Sequence, residues 1–233
     1  MEILLVIEEK KGSRPLTFAY TRMVNAGYVG KNQEEVRRHI RELAAKGIAG
    51  PLRTPTLYPV VCKALSRDAA IEVYGRETSG EVEYVLLVVD EKEVYVGIGS
   101  DHTDRRLEEI DIPRAKQICP NLIGERVWPL HEVAAHWDDL LMRSKVAKDG
   151  QDILYQEGRL GLLLNPAELM DFVKTKLAGP LKNFIIFSGT MGMLTGEFVF
   201  GERFAVELID EKLDRRLAFS YNVHPLDYLE VDK

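Results

Sequence analysis

Hydrophobic positions recur along this chain mostly with period two and only briefly with period three to four. This pattern predicts a strand-rich protein with a few interposed helices. Met1–Glu9 alternates as a strand, Lys10–Pro15 turns, and Leu16–Ala26 reads as a second strand, so residues 1–30 are expected to form an N-terminal hairpin extension closed by a bend at Gly27–Gly30. Asn32 with Glu35 three residues on has the form of a capping box. Val36, Ile40 and Leu43 then recur at helical spacing until Gly47, which predicts a helix over Gln33–Lys46. Pro51–Pro59 is irregular, followed by short strands at Leu57–Val61 and Ile71–Val73 around a turn or short helix at Ala64–Ala70. Arg105–Asp111 reads as a short helix or turn, and Val133–Arg143 as a helix or long strand. Lys145–Tyr155 reads as a hairpin about Asp149-Gly150, a strong turn dipeptide. Pro166 opens a helix through Leu177 that Gly179-Pro180 ends, and strands at Asn183–Ser188, Phe204–Ile209 and Leu217–Val223 complete the chain. Strands and helices do not alternate regularly, which indicates an α+β fold in one domain spanning 1–233.

The most informative stretch is Gly80–Glu109. Two apolar runs, Tyr84–Val89 and Glu93–Ile98, are joined by a turn at Asp90–Lys92 and read as a hairpin. In a strand Glu81, Glu83, Val85, Leu87 and Val89 share one face and Val82, Tyr84, Leu86 and Val88 the other. A strand apolar on both faces is an interior strand. Two carboxylates at its mouth repel each other and lose hydration, which a divalent cation would relieve; the alternative is that the hairpin end frays and both are merely solvated. Chain reversal can bring Asp101 beside them, with Asp104 an alternative on spacing alone. Three carboxylates suit a hard cation, Mg2+ or Mn2+, better than zinc.

Composition narrows the class without naming the chemistry. The 233 residues are 45% hydrophobic and 29% charged, ordinary for a soluble domain with a sizeable core. A net charge of −6 argues against a nucleic-acid binder. The longest early apolar run, Ile3–Ile7, is too short for a membrane span and lacks the pattern of a secretion signal. The two cysteines, Cys62 and Cys119, have no metal-site spacing and read as reduced core residues, so a cytoplasmic protein is expected.

Seven ordered motifs resemble the fumarylacetoacetate hydrolase superfamily. Gly27-Tyr28 followed by His39-Ile40-Arg41-Glu42 is similar to that family's lid segment, and Pro55–Pro59 to its P-x-x-F-x-K-P stretch. Gly80-Glu81-Val82-Glu83 resembles its acidic strand, and Gly99–Arg105 its N-D-x-[ST]-A-R-D turn. Lys116 before Cys119-Pro120, Gln156-Glu157-Gly158, and Phe187-Ser188-Gly189-Thr190 with Gly192 and Gly196 follow in the family's order. There are departures: Arg106 stands where the family has a second aspartate, Met191 replaces the proline after Gly-Thr, Tyr58-Pro59 replaces Phe-x-Lys-Pro, and the Glu83–Asp101 spacing is short.

The resemblance implies a catalytic domain built as a mixed β-sheet roll or sandwich with peripheral helices, and a homodimer. It implies Glu81, Glu83 and Asp101 as ligands of Mg2+ or Mn2+, leaving Asp104 unassigned. Lys116 becomes a catalytic cation, and Arg105, Thr190, Gly189 and Gln156 become contacts to a small-molecule carboxylic acid. His39 and Glu42, three apart on a helix, fit a general base and its orienting carboxylate, although an exposed i,i+3 pair would look the same. His102, His131, His136 and His224 read as structural. The expected activity is metal-dependent cleavage of a small 2-oxo or 1,3-dicarbonyl acid through an enolate, with C–C bond hydrolysis first and hydration, tautomerisation or decarboxylation as variants. A metabolite-binding module without turnover is the reading of another class.

Overall fold

The computed structural model describes residues 1–44, 51 and 53–229. Its framework is a ten-stranded mixed sheet, a five-stranded sheet and a two-stranded ribbon. In the large sheet the order is Gly12–Ala19, Glu2–Glu9, Arg126–Pro129, Val94–Asp101, Val82–Val88, Phe184–Phe187, Arg22–Gly27, Thr56–Val60; Asn121–Ile123 also pairs with Val94–Asp101, and Leu65–Ser66 pairs in turn with Asn121–Ile123. The five-stranded sheet runs Gln151–Arg159, Leu141–Lys148, Arg203–Asp210, Arg215–Pro225, Ala70–Val73.

The strand apolar on both faces is central, as its pattern requires. Every residue of Val82–Val88 is buried, between antiparallel partners on either side. Its two faces feed two cores. Val82, Tyr84, Leu86 and Val88 pack with Val206, Leu208 and Leu217 of the five-stranded sheet. Val85 and Leu87 pack with Leu5, Phe18, Val60, Val127 and Phe187, all from the large sheet or its connections. Residues of both edge strands meet in that second core, so the large sheet is rolled upon itself.

The Leu16–Ala26 run is two strands. Tyr20 N–H donates to Met1 O and Thr21 N–H to Asn183 O, so the chain leaves the hairpin there, and Arg22–Gly27 pairs in parallel with Phe184–Phe187 at the far side of the sheet. The first hairpin is an edge of the roll, with Leu5, Ile7 and Phe18 buried. Val133–Arg143 also divides: short helical turns cover Leu130–Asp139, then Leu141 begins a strand. The turn at Asp149-Gly150 has both residues at positive φ, 52° and 76°, as a tight hairpin requires. The early helix covers Gln33–Ala44. The rest of its expected span, 45–46, and the side chains of Glu35, His39 and Glu42 lie outside the described residues.

Candidate metal centre

The hairpin sets the site's geometry. Glu81 and Asp101 face each other across the ladder, each N–H donating to the other's carbonyl at 3.0 Å. Directly opposite residues share a face, and Glu83 lies two positions along the same face. One carboxylate oxygen from each of Glu81, Glu83 and Asp101 falls within 4.8 Å of the others. Glu83 and Asp101 are each 1% exposed, whereas the Glu81 side chain is 20% exposed and marks the open side. Glu83 lies opposite Gly99, where a Cβ would stand 2.6 Å from Val85 Cγ2 and 2.7 Å from Phe187 Cε1.

Two buried cations close the cluster. Lys116 comes from the Ile112–Ile118 helix, which Asp111 caps. Its Nζ lies 2.7 Å from Asp101 Oδ2, 3.0 Å from Glu81 Oε2, 3.3 Å from Glu108 Oε1, and donates to Thr103 Oγ1 at 3.1 Å. Arg105 donates from Nη1 to Glu81 Oε1 and Glu108 Oε2, at 3.1 and 2.7 Å, and from Nε to Ser79 Oγ at 2.7 Å. Its guanidinium lies under the Phe198 ring, 4.5 Å from the centroid.

Charge balance follows from this packing. Burial alone would raise the Glu81 carboxyl, but Arg105 and Lys116 outweigh it and hold it at about 2. Glu83 is pushed well above the ordinary carboxylate range by burial first, then by Asp101 and Glu81. Asp101 is also raised by burial, against the pull of Lys116. Lys116 stays protonated, because Asp101, Glu81 and Glu108 more than offset its desolvation. Four carboxylates, with Glu108, thus face two cations. Were all four ionised, the deficit would be that of a divalent ion; Asp101 Oδ2, although beside Lys116, has no aligned hydrogen bond. An all-oxygen donor set of three converging carboxylates fits Mg2+ or Mn2+.

The other expected residues divide. Asp104 caps the Arg105–Ile110 helix through Leu107 N–H at 3.0 Å, which uses its carboxylate outside the cluster. Arg106 is exposed and pairs with Glu77 at the surface. Gly189, at φ +82°, donates its N–H to Glu83 Oε2 at 2.8 Å. Thr190 donates its hydroxyl to Val82 O at 2.7 Å and accepts from Gln156 Nε2 at 2.8 Å. Gln156 is buried and fully engaged, accepting from Val82 N–H and Ser144 Oγ and donating to Thr190 and Met191. Arg105, Gly189 and Gln156 therefore brace the cluster by hydrogen bonds within the chain. The side chains of His39 and Glu42 lie outside the described residues.

Sequence reading missed Glu108, Thr103 and Ser79. Glu108 was accessible as the i,i+3 partner of Arg105 on a helix. Ser79 and Thr103 are brought together by the two-stranded ribbon, which has no hydrophobic signature. The cysteines are free, and burial pushes the Cys119 thiol up to about 12. No helix among the described residues is long and apolar enough to cross a membrane.

Beside the cluster lies a cleft of about 740 Å3 reaching from Tyr28–Asn32 across Leu162 to Thr190–Gly192. Tyr28, at φ 58°, is held by Gln33 Nε2, which donates to Tyr28 O and Gly30 O. Lys31 N–H donates to Leu162 O, and Leu164 N–H to Val29 O, zipping the two walls together.

Solved structures share this architecture. The 5-carboxymethyl-2-hydroxymuconate delta-isomerase of Mycobacterium smegmatis is 15% identical, with TM-score 0.62 over 92% of this chain and 81% of that one. The 2-hydroxyhepta-2,4-diene-1,7-dioate isomerase of Mycobacterium marinum is 14% identical, with TM-score 0.64 over 93% and 80%. A 2-keto-3-deoxy-D-arabinonate dehydratase complexed with magnesium and 2,5-dioxopentanoate is 14% identical, with TM-score 0.63 over 92% and 76%. At these identities the likeness establishes the fold alone, the mixed-sheet α+β architecture that these enzymes share. No curated protein matches the chain. A family model described as a protein of unknown function, DUF2848, matches residues 26–221, and the chain belongs to that family.

Proposed function

We propose that the protein is a metal-dependent enzyme acting on a small 2-oxo or 1,3-dicarbonyl carboxylic acid through an enolate, with C–C bond hydrolysis the first reaction to assay. The observation that carries this reading is the convergence of Glu81, Glu83 and Asp101 within 4.8 Å, with Lys116 Nζ 2.7 Å from Asp101. Glu81, Glu83 and Asp101 would hold Mg2+ or Mn2+. When bound there, the ion supplies Lewis acidity toward paired substrate oxygens. Lys116, protonated and buried, adds fixed positive charge beside a developing oxyanion. Arg105 and Gln156 act as positioning residues, the first orienting Glu81 and the second Thr190. His39 and Glu42 are proposed as the proton-transfer pair. Solved structures of the same fold include isomerases and a dehydratase crystallised with magnesium, and hydration, tautomerisation or decarboxylation would use the same enolate.

The test is calorimetric titration of Mg2+, then of oxalate as an enolate mimic, followed by assays on acylpyruvates and oxaloacetate. Cation binding that survives Glu83→Ala would overturn the assignment of the site. The internal engagement of Arg105, Gly189 and Gln156 favours, as a second reading, a metabolite-binding module without turnover. Tight oxalate binding with no turnover of any of these substrates would select it.

A further inference from the structure

We infer that the cleft beside the acidic cluster takes the uncharged, apolar tail of the substrate, so that the protein selects 2-oxo acids with an alkyl or aryl substituent over dicarboxylates. This rests on the reading proposed above for Glu81, Glu83 and Asp101. The cleft and the cluster share the Gly189-Thr190 segment: the Gly189 N–H holds Glu83, and the next residue, Thr190, lines the cleft. Its walls are apolar, with Val36, Leu162, Leu163 and Met191 facing the space. Leu162 is 61% exposed, an apolar side chain that the folded chain itself does not cover. Met191 stands where the related motif has proline, and its bulk is accommodated by a glycine: a Cβ at Gly158 would stand 2.8 Å from Met191 Sδ and 3.3 Å from Leu162 Cδ1. Among the described residues lining the cleft, the charged one is Lys31, and it is paired with Asp138 at 3.3 Å. A distal carboxylate placed there would lose water against hydrocarbon, whereas an alkyl chain would gain from the same burial.

The experiment is calorimetric titration of the Mg2+-loaded full-length protein with oxalate, pyruvate, 2-oxooctanoate and 2-oxoglutarate, repeated on Leu162→Arg and Met191→Ala. The expected result is 2-oxooctanoate binding at least about tenfold tighter than pyruvate, with 2-oxoglutarate gaining nothing. Leu162→Arg, on an exposed side chain, should shift the 2-oxooctanoate to 2-oxoglutarate ratio by about tenfold toward the diacid and leave oxalate affinity unchanged. Met191→Ala should weaken 2-oxooctanoate alone. Oxalate binding with no preference among the tails, or a ratio that Leu162→Arg does not move, overturns this inference and leaves the proposed site standing. Failure of oxalate and every 2-oxo acid to bind overturns both.

Discussion

Lys116 Nζ lies 2.7 Å from Asp101 Oδ2, and both side chains are almost fully buried, at 7% and 1% exposure. The ammonium offsets part of the carboxylate charge that burial concentrates around it. Lys116→Met keeps most of the length of the side chain and removes its charge. The variant without cation should lose on the order of 3 kcal/mol of stability, at the low end for a broken buried pair because Glu81 and Glu108 are about one-fifth exposed. Millimolar Mg2+ should restore much of that loss, and a thermal melt with and without Mg2+ measures both. Turnover of an identified substrate should fall by about 10²–10³-fold. A melt that Mg2+ shifts no more in the variant than in the wild type counts against competition between lysine and cation for Asp101.

Glu83 predicts the opposite division between stability and binding. Its carboxyl is held well above the usual range by burial and by Asp101 and Glu81, so it is costly to ionise without a cation. Glu83→Gln retains an acceptor for the Gly189 N–H and removes that cost. The cation-free variant should be as stable as the wild type or more so, by up to about 2 kcal/mol. Its Mg2+ affinity should drop at least tenfold. Urea unfolding and calorimetry on one preparation test both halves, and a less stable variant with intact Mg2+ binding would contradict the role given to Glu83.

The two carboxylates facing one way and the return of Asp101 were legible in the sequence, because a strand's period of two and a short turn are local properties. The Asp90 side chain confirms the turn, accepting from the N–H groups of Lys92 and Glu93. The choice of Asp101 over Asp104 came only with the resemblance, although Asp104 before a polar helix is a cap signal that local reading could have used. What stayed hidden depends on tertiary placement. The arrival of Lys116 requires its helix to pack over the ribbon, and the rolling of the sheet requires the chain to change partners at Tyr20–Thr21, inside a stretch that reads as one strand. Gln156 has a side chain whose role is set by four partners from three segments.

Gly189 couples backbone shape to the site. At φ +82° an L side chain is strained, and a Cβ there would stand 2.7 Å from Val29 Cγ2 and 2.8 Å from Ala26 O. Gly189→Ala should therefore cost about 1–3 kcal/mol and displace the N–H that holds Glu83. Mg2+ affinity should fall with it. Gly192→Ala is the control: it lies three residues along the same loop, with nothing within 4 Å of an added Cβ, and should be close to neutral in both measurements.

His102 predicts a pH dependence of stability independent of catalysis. The ring is 1% exposed, with Nδ1 2.9 Å from Tyr221 Oη and Nε2 2.9 Å from Thr78 Oγ1. Two hydroxyls can serve a neutral imidazole, one accepting and one donating. Burial first, and then the charge of Arg105, lower its pKa from 6.5 to about 3. The folded state therefore binds this proton less readily than the unfolded state. The contribution is complete above pH 6.5 and declines as the pH falls toward 3. At pH 5 the loss from this group is about 2 kcal/mol relative to pH 7. Other groups titrate over the same range, so the readout is the difference in unfolding free energy between pH 7 and pH 5 for wild type and for His102→Gln. The substitution should lower stability at pH 7 and reduce the wild-type loss between the two pH values by about 2 kcal/mol. Equal losses in the two proteins would mean that His102 is not held neutral between Tyr221 and Thr78.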